Sequence, residues 1–193
     1  DNYLDSTITV TVTVDSRIVP TGQPTLTPAA ITYGQPLRTI ALSGALRDGD
    51  TVVEGTFVWN TPDVILPAGS QTAEWTFTPS GSRYATTSGT ASVTVREAAL
   101  TDVSVRQDGA LTYTGTSQSA QVIASAATVD GSAVTFTYSL AKDGAYGDAV
   151  PALTDVAAHT VWYKAEAANH ETVTGSFTIT IGKAALTSVS VRQ

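Results

Sequence analysis

Few side chains in this sequence are of a type that does chemistry, and their spacing decides how each is read. His159 and His170 are the two histidines, and there is no cysteine. That pair matches no recognised zinc-ligand spacing, so both read as packing or turn residues. Asp48-Gly49-Asp50 and the pair Asp143 and Asp148 offer carboxylates, but the stepped oxygen ligands and closing bidentate Glu of a calcium loop are missing. They read as turns. Lys142, Lys164 and Lys183 raise the question of a Lys–Asn isopeptide, which needs a buried Lys beside an Asn and a carboxyl. Asn2, Asn60 and Asn169 form no such arrangement, and an unpaired buried Lys is strongly disfavoured. Ser and Thr abound without a G-x-S-x-G elbow, a Ser-His-Asp context or a phosphate-binding Gly loop, and no carboxylate pair stands out for glycoside hydrolysis. The sequence therefore nominates no catalytic, cofactor-binding or metal-ligating residue. The candidate ligand-binding set is Trp162, Lys164 and Glu166, where an indole beside two opposite charges could stack a sugar, touch a partner, or lie across its own neighbours.

What places that set is alternation. In Thr160-Val-Trp-Tyr-Lys-Ala-Glu166, Val161, Tyr163 and Ala165 share one face of a strand and Trp162, Lys164 and Glu166 the other. Likewise Trp75 and Phe77 take inner positions in their strand, and Phe57 and Trp59 match Phe136 and Tyr138. Trp59, Trp75, Tyr138 and Tyr163 are the expected core anchors. Strands are expected near 37–43, 52–59, 72–78 and 88–96, and again near 101–106, 119–126, 133–140, 159–166 and 174–181. The Asp-Gly pairs at 48, 108, 130 and 143 supply the positive φ of tight turns. Short strands spaced by turns, with no helical period, predict antiparallel β-sandwiches.

The pattern repeats. Glu97-Ala-Ala-Leu100 through Arg106-Gln107 returns as Lys183-Ala-Ala-Leu186 through Arg192-Gln193, and such self-similarity marks tandem modules. Tyr3 to Val14, Tyr84 to Val95 and His170 to Ile181 each end as an alternating last strand. The expected division is 1–14 as the last strand of a preceding truncated repeat, 15–96 and 97–182 as two whole repeats, and 183–193 as the first strand of a following one. The orphan strand at 3–14 is expected either to be disordered or to add to a neighbouring sheet. Arg96 to Leu100 joins the two repeats without Gly, Pro or Ser, so the joint should be stiff and the modules should lie end to end as a rod.

Net charge is −7, with 10 basic against 17 acidic residues and no basic cluster, which argues against nucleic acid or an anionic membrane as partner. Absence of cysteine removes the disulfide route to stability. No secretory h-region and no apolar run of membrane-spanning length occurs.

Residues 111–118 (LTYTGTSQ), 134–139 (VTFTYS) and 155–181 (DVAAHTVWYKAEAANHETVTGSFTITI) together resemble the immunoglobulin-like repeats, of MBG or YDG type, strung along large bacterial surface adhesins. Asp155, Thr160, Val161, Tyr163, Lys164, Asn169 and Gly175 fit that pattern, while His159 and His170 stand where tyrosine is usual. ITYGQPL at 31–37 and EGTFVW at 54–59 match a related variety. The resemblance implies tandem immunoglobulin-like sandwiches in a secreted, wall-associated stalk that holds an adhesive head away from a bacterial surface, without catalysis or cofactor. Its partners would be neighbouring repeats of the same chain. The alternative is a carbohydrate- or protein-binding module that meets a host glycan or surface protein through Trp162, expected as an exposed aromatic on the outer sheet face.

Overall fold

The computed structural model describes residues 10–11 and 16–187. Apart from Val10 and Thr11, the strand expected at 3–14 lies outside the described residues, as does 188–193. The chain is all-β. The first half comprises β1 (Thr25–Thr27), β2 (Ala30–Thr32), a 3₁₀ turn at Leu37–Thr39, β3 (Ala41–Ser43), β4 (Leu46–Asp48), β5 (Thr51–Val53), β6 (Gly55–Trp59), β7 (Gly69–Pro79) and β8 (Thr87–Arg96). The second comprises β9 (Thr101–Asp108), β10 (Leu111–Thr112), β11 (Gln121–Ala127), β12 (Thr135–Ser139), β13 (Ala158–Glu166) and β14 (Val173–Gly182).

Each half carries a four-stranded sheet, in the order β2-β8-β7-β6 and β10-β14-β13-β12, opposed by two-stranded pieces. Side chains from both layers meet in one core per half, which is what makes each a sandwich. In the first, Phe57, Trp59, Trp75, Phe77, Val93 and Val95 of the large sheet meet Leu37, Ile40, Leu46 and Val53. In the second, Tyr138, Val161, Ile179 and Ile181 meet Ala120 and Leu153, with Val105 and Val122 packed alongside. Trp59, Trp75 and Tyr138 are buried as expected. Tyr163 is only half-buried, at the edge of its core.

The opening strand of each half is divided between layers. β1 pairs with β3, then the chain crosses so that β2 runs parallel to β8. Similarly β9 pairs with β11, and β10 runs parallel to β14. The sheets are otherwise antiparallel.

Two expected strands differ from what forms. Over 37–43 the chain makes a 3₁₀ turn before β3, because the buried residues are Leu37 and Ile40. A spacing of three fits 3.0 residues per turn and not the pleat's two. The stretch 52–59 divides at Glu54, since β5 pairs with β4 while β6 pairs with β7. Of the four Asp-Gly pairs, Gly49, Gly109 and Gly131 have positive φ and Gly144 does not. Gly144 instead donates its N–H to Ala141 O (3.1 Å) within a tight loop.

Candidate functional site

Among the described residues, polar side chains meet at the junction between the halves and on the outer face of β13, as well as around Asn60, which is bonded to Glu74 and Thr76. The junction begins with the short segment after β8, where Ala98 and Leu100 are both buried. Ala98 donates its N–H to Asn169 O (3.0 Å), and its carbonyl accepts from Glu171 N–H (2.8 Å). The incoming chain is thereby stitched to the turn between β13 and β14. The same stitch recurs at the start of the first half, where Ile18 N–H donates to Arg83 O (3.0 Å) and Ile18 O accepts from Ala85 N–H (2.8 Å). Ile18, Arg83 and Tyr84 therefore occupy the places of Ala98, Asn169 and His170.

Around this stitch the halves meet side chain to side chain. Asn169 adopts φ 63°, a left-handed conformation that Asn tolerates better than most residues. Its Oδ1 accepts the Ala68 N–H at 3.0 Å. His170 is 4% exposed. Its Nε2 lies 3.3 Å from the Val129 N–H, a donor, so this nitrogen is the acceptor and the proton sits on Nδ1, 2.8 Å from Ala168 O. The Tyr33 ring meets the His170 ring edge-on, with centroids 5.5 Å apart, and the Tyr33 hydroxyl donates to Asp130 Oδ2 at 2.9 Å. Close approach here needs a glycine. A Cβ on Gly34, which has φ +92°, would stand 2.6 Å from Val129 Cγ2.

The Tyr33–Asp130 contact perturbs both groups. The Asp130 hydrogen bond, then desolvation, raise the Tyr33 pKa above 10.0, with Asn169 acting the other way. Asp130 is held well below the usual carboxylate range by Ser132, whose backbone N–H donates to Oδ1 at 3.1 Å, and next by Tyr33. A depressed carboxylate adds stability above its ordinary pKa that is lost as pH falls, and a raised phenol adds stability that is lost as pH rises. The junction should therefore be tightest between about pH 4 and about pH 10. Thermal midpoints measured across pH for the native chain, minus those of Tyr33→Phe, should show a plateau over that window and a decline on each side. A flat difference would refute the coupling.

On the outer face of β13, Trp162, Lys164 and Glu166 do line up. They oppose Ser139, Thr137 and Thr135 of β12, and Ser176 and Thr174 of β14 face the first two. Trp162 is half-buried rather than exposed, because the loop after β12 folds back over it. That loop is pinned where Tyr138 and Gly147 exchange N–H···O bonds of 2.8 and 3.0 Å. Lys142 from the loop sets its Nζ 5.7 Å from the Trp162 ring centroid, and Lys164 Nζ lies 4.5 Å from that of Tyr146, both cation–π distances. Glu166 stands apart, exposed, accepting a long bond from Thr172 Oγ1 (3.5 Å). A sugar stacking on Trp162 would first have to move Lys142.

The remaining candidates go to structural places. His159 Nε2 sits 2.9 Å from Asp155 O. Asn60 accepts from Thr76 Oγ1 at 2.7 Å. Among the described residues no three His, Asp or Glu side chains converge as a metal site, and no helix is long and apolar enough to cross a membrane. Sequence reasoning missed Tyr33, Ala68, Val129 and Asp130 at the junction.

No family model matches the chain, and no curated protein does either. Solved structures similar to it include the protocadherin gammaB4 extracellular domain, at 13% identity over 87% of this chain and 34% of that one, with TM-score 0.32. Mouse cadherin-23 EC22–24 is similar at 12% identity over 84% and 65%, with TM-score 0.24. The chain thus spans about a third of the first and just under two thirds of the second. Likeness at this level carries no argument, and the fold assignment rests on strand order and shared cores.

Proposed function

We propose that this chain is a spacer: two sandwich repeats, 15–96 and 97–182, held in line to extend something else from a bacterial surface. The observation that supports this best is the junction itself. Backbone bonds fix Ala98 to the β13–β14 turn of its own repeat, and the Asn169 side chain on Ala68 and the contacts of Tyr33 with Asp130 and His170 tie the halves to each other. Bending there would break several of them together. Repetition of the Ala98 stitch at Ile18 supports a joint designed to recur along an array, with neighbouring repeats as the first partners. A secreted, wall-associated stalk is what the resemblance of the second repeat to adhesin repeats implies.

Small-angle scattering tests this reading. Two modules of about 35–45 Å each, estimated from strands of about ten residues at 3.3 Å per residue, should give a maximum dimension near 80 Å. A folded-over pair with a maximum dimension near 55 Å would defeat the proposal.

A further inference from the structure

We propose that the depression between the loop after β12 and the outer face of β13 and β14 binds a carboxylate-bearing sugar. The depression measures about 350 Å³ and is lined by Lys142, Asp143, Gly144, Tyr146, Lys164 and Thr174. That volume lies at the small end of ligand sites and suits one or two sugar rings. Its charge is the informative feature. Two of the chain's three lysines converge here, in a chain of net charge −7. Neither ammonium is paired with a carboxylate among the described residues, and each is held over an aromatic ring instead. An ammonium resting on a ring keeps N–H donors free for an anion. The loop is built to keep it there, since Tyr146 donates its hydroxyl to Lys142 O at 2.8 Å and Tyr138 anchors Gly147.

The rest of the lining narrows the ligand. Asp143 accepts hydrogen bonds but repels a bare anion, and Thr174 and Tyr146 add a hydroxyl and a ring edge. A ligand that brings a carboxylate to the lysines and hydroxyl donors to Asp143 satisfies both ends. Uronic acids have that chemistry. The site is independent of the spacer reading, because nothing in it touches the junction.

Titration of the isotopically labelled full chain with sodium glucuronate, read by amide and indole N–H shifts, tests this. Saturable shifts are expected at Gly144, Thr174 and the Trp162 indole. Two charge-assisted bonds removed together should cost at least tenfold in affinity, so Lys142→Gln with Lys164→Gln should weaken binding by that factor or more. The corresponding double Arg variant should bind more tightly than the double Gln variant, since it keeps the charge and the N–H donors. Equal response to glucose, equal affinity for acetate, or unchanged binding by the double Gln variant would each overturn the proposal.

Discussion

Gly89→Val is expected to remove most of the stability of the first half. Gly89 lies directly across β7–β8 from Trp75, and the indole lies over it. A Cβ there would stand 2.3 Å from Cζ2, 2.8 Å from Cε2 and 2.9 Å from Cη2 of that ring. The ring cannot retreat, because it is 2% exposed and its other side meets Phe57 edge-on at 5.3 Å. Overpacking of this severity costs about 3–4 kcal/mol, a large share of the roughly 5–15 kcal/mol that holds a domain together. Urea unfolding followed by Trp emission reads it, since Trp59 and Trp75 both sit in that core. As a control, Gly81→Ala should move the midpoint little, because its nearest neighbour is 4.0 Å away and its φ is not positive. An unshifted midpoint in Gly89→Val would mean that the ring and the glycine are not in contact. The second half repeats the device. Gly175 faces Tyr163 across β13–β14, and a Cβ there would stand 2.5 Å from the phenol oxygen.

His170→Ala should produce the second largest loss, and it should be felt between the halves. Truncation removes a ring that is nearly all buried, deprives Tyr33 of its edge contact and leaves the Val129 N–H without its acceptor. Lost packing and an orphaned donor together cost about 2–4 kcal/mol. His159→Ala serves as the comparison, because His159 is partly exposed and holds one carbonyl within its own loop; it should cost less than about 1 kcal/mol. Urea midpoints and scattering should move together for His170→Ala and hardly at all for His159→Ala. Equal effects of the two would place His170 in local packing alone.

The contrast between these histidines shows what the sequence carries. Alternation in β13 correctly separated Val161 and Ala165, both buried, from Trp162, Lys164 and Glu166, because a pleat has period two and each sheet has one dry face. The paired core anchors Trp59 and Trp75 were legible for the same reason, and they are cross-strand neighbours. Local periodicity says nothing of contacts made across the junction. Tyr33 and Asp130 are 97 positions apart, and each reads alone as a turn residue. The half-burial of Trp162 was equally hidden, since it depends on a loop folding back and not on the strand that carries the indole. Leu37 and Ile40 misled in another way, their spacing of three being absorbed into an expected strand.

The parallel pairing of first and last strands has a consequence for a molecule under load. Tension applied at the two ends of a repeat pulls β2 and β8 in opposite directions along their common axis, as it does β10 and β14. The ladder from Ala30–Thr94 to Thr32–Arg96, extended by Tyr33 N–H to Arg96 O at 2.9 Å, is then sheared. Its bonds must fail together and cannot be peeled apart singly. Tyr113 N–H to Gly182 O, also 2.9 Å, gives the second repeat the same clasp, so both would withstand a tug along the chain better than their few parallel bonds suggest.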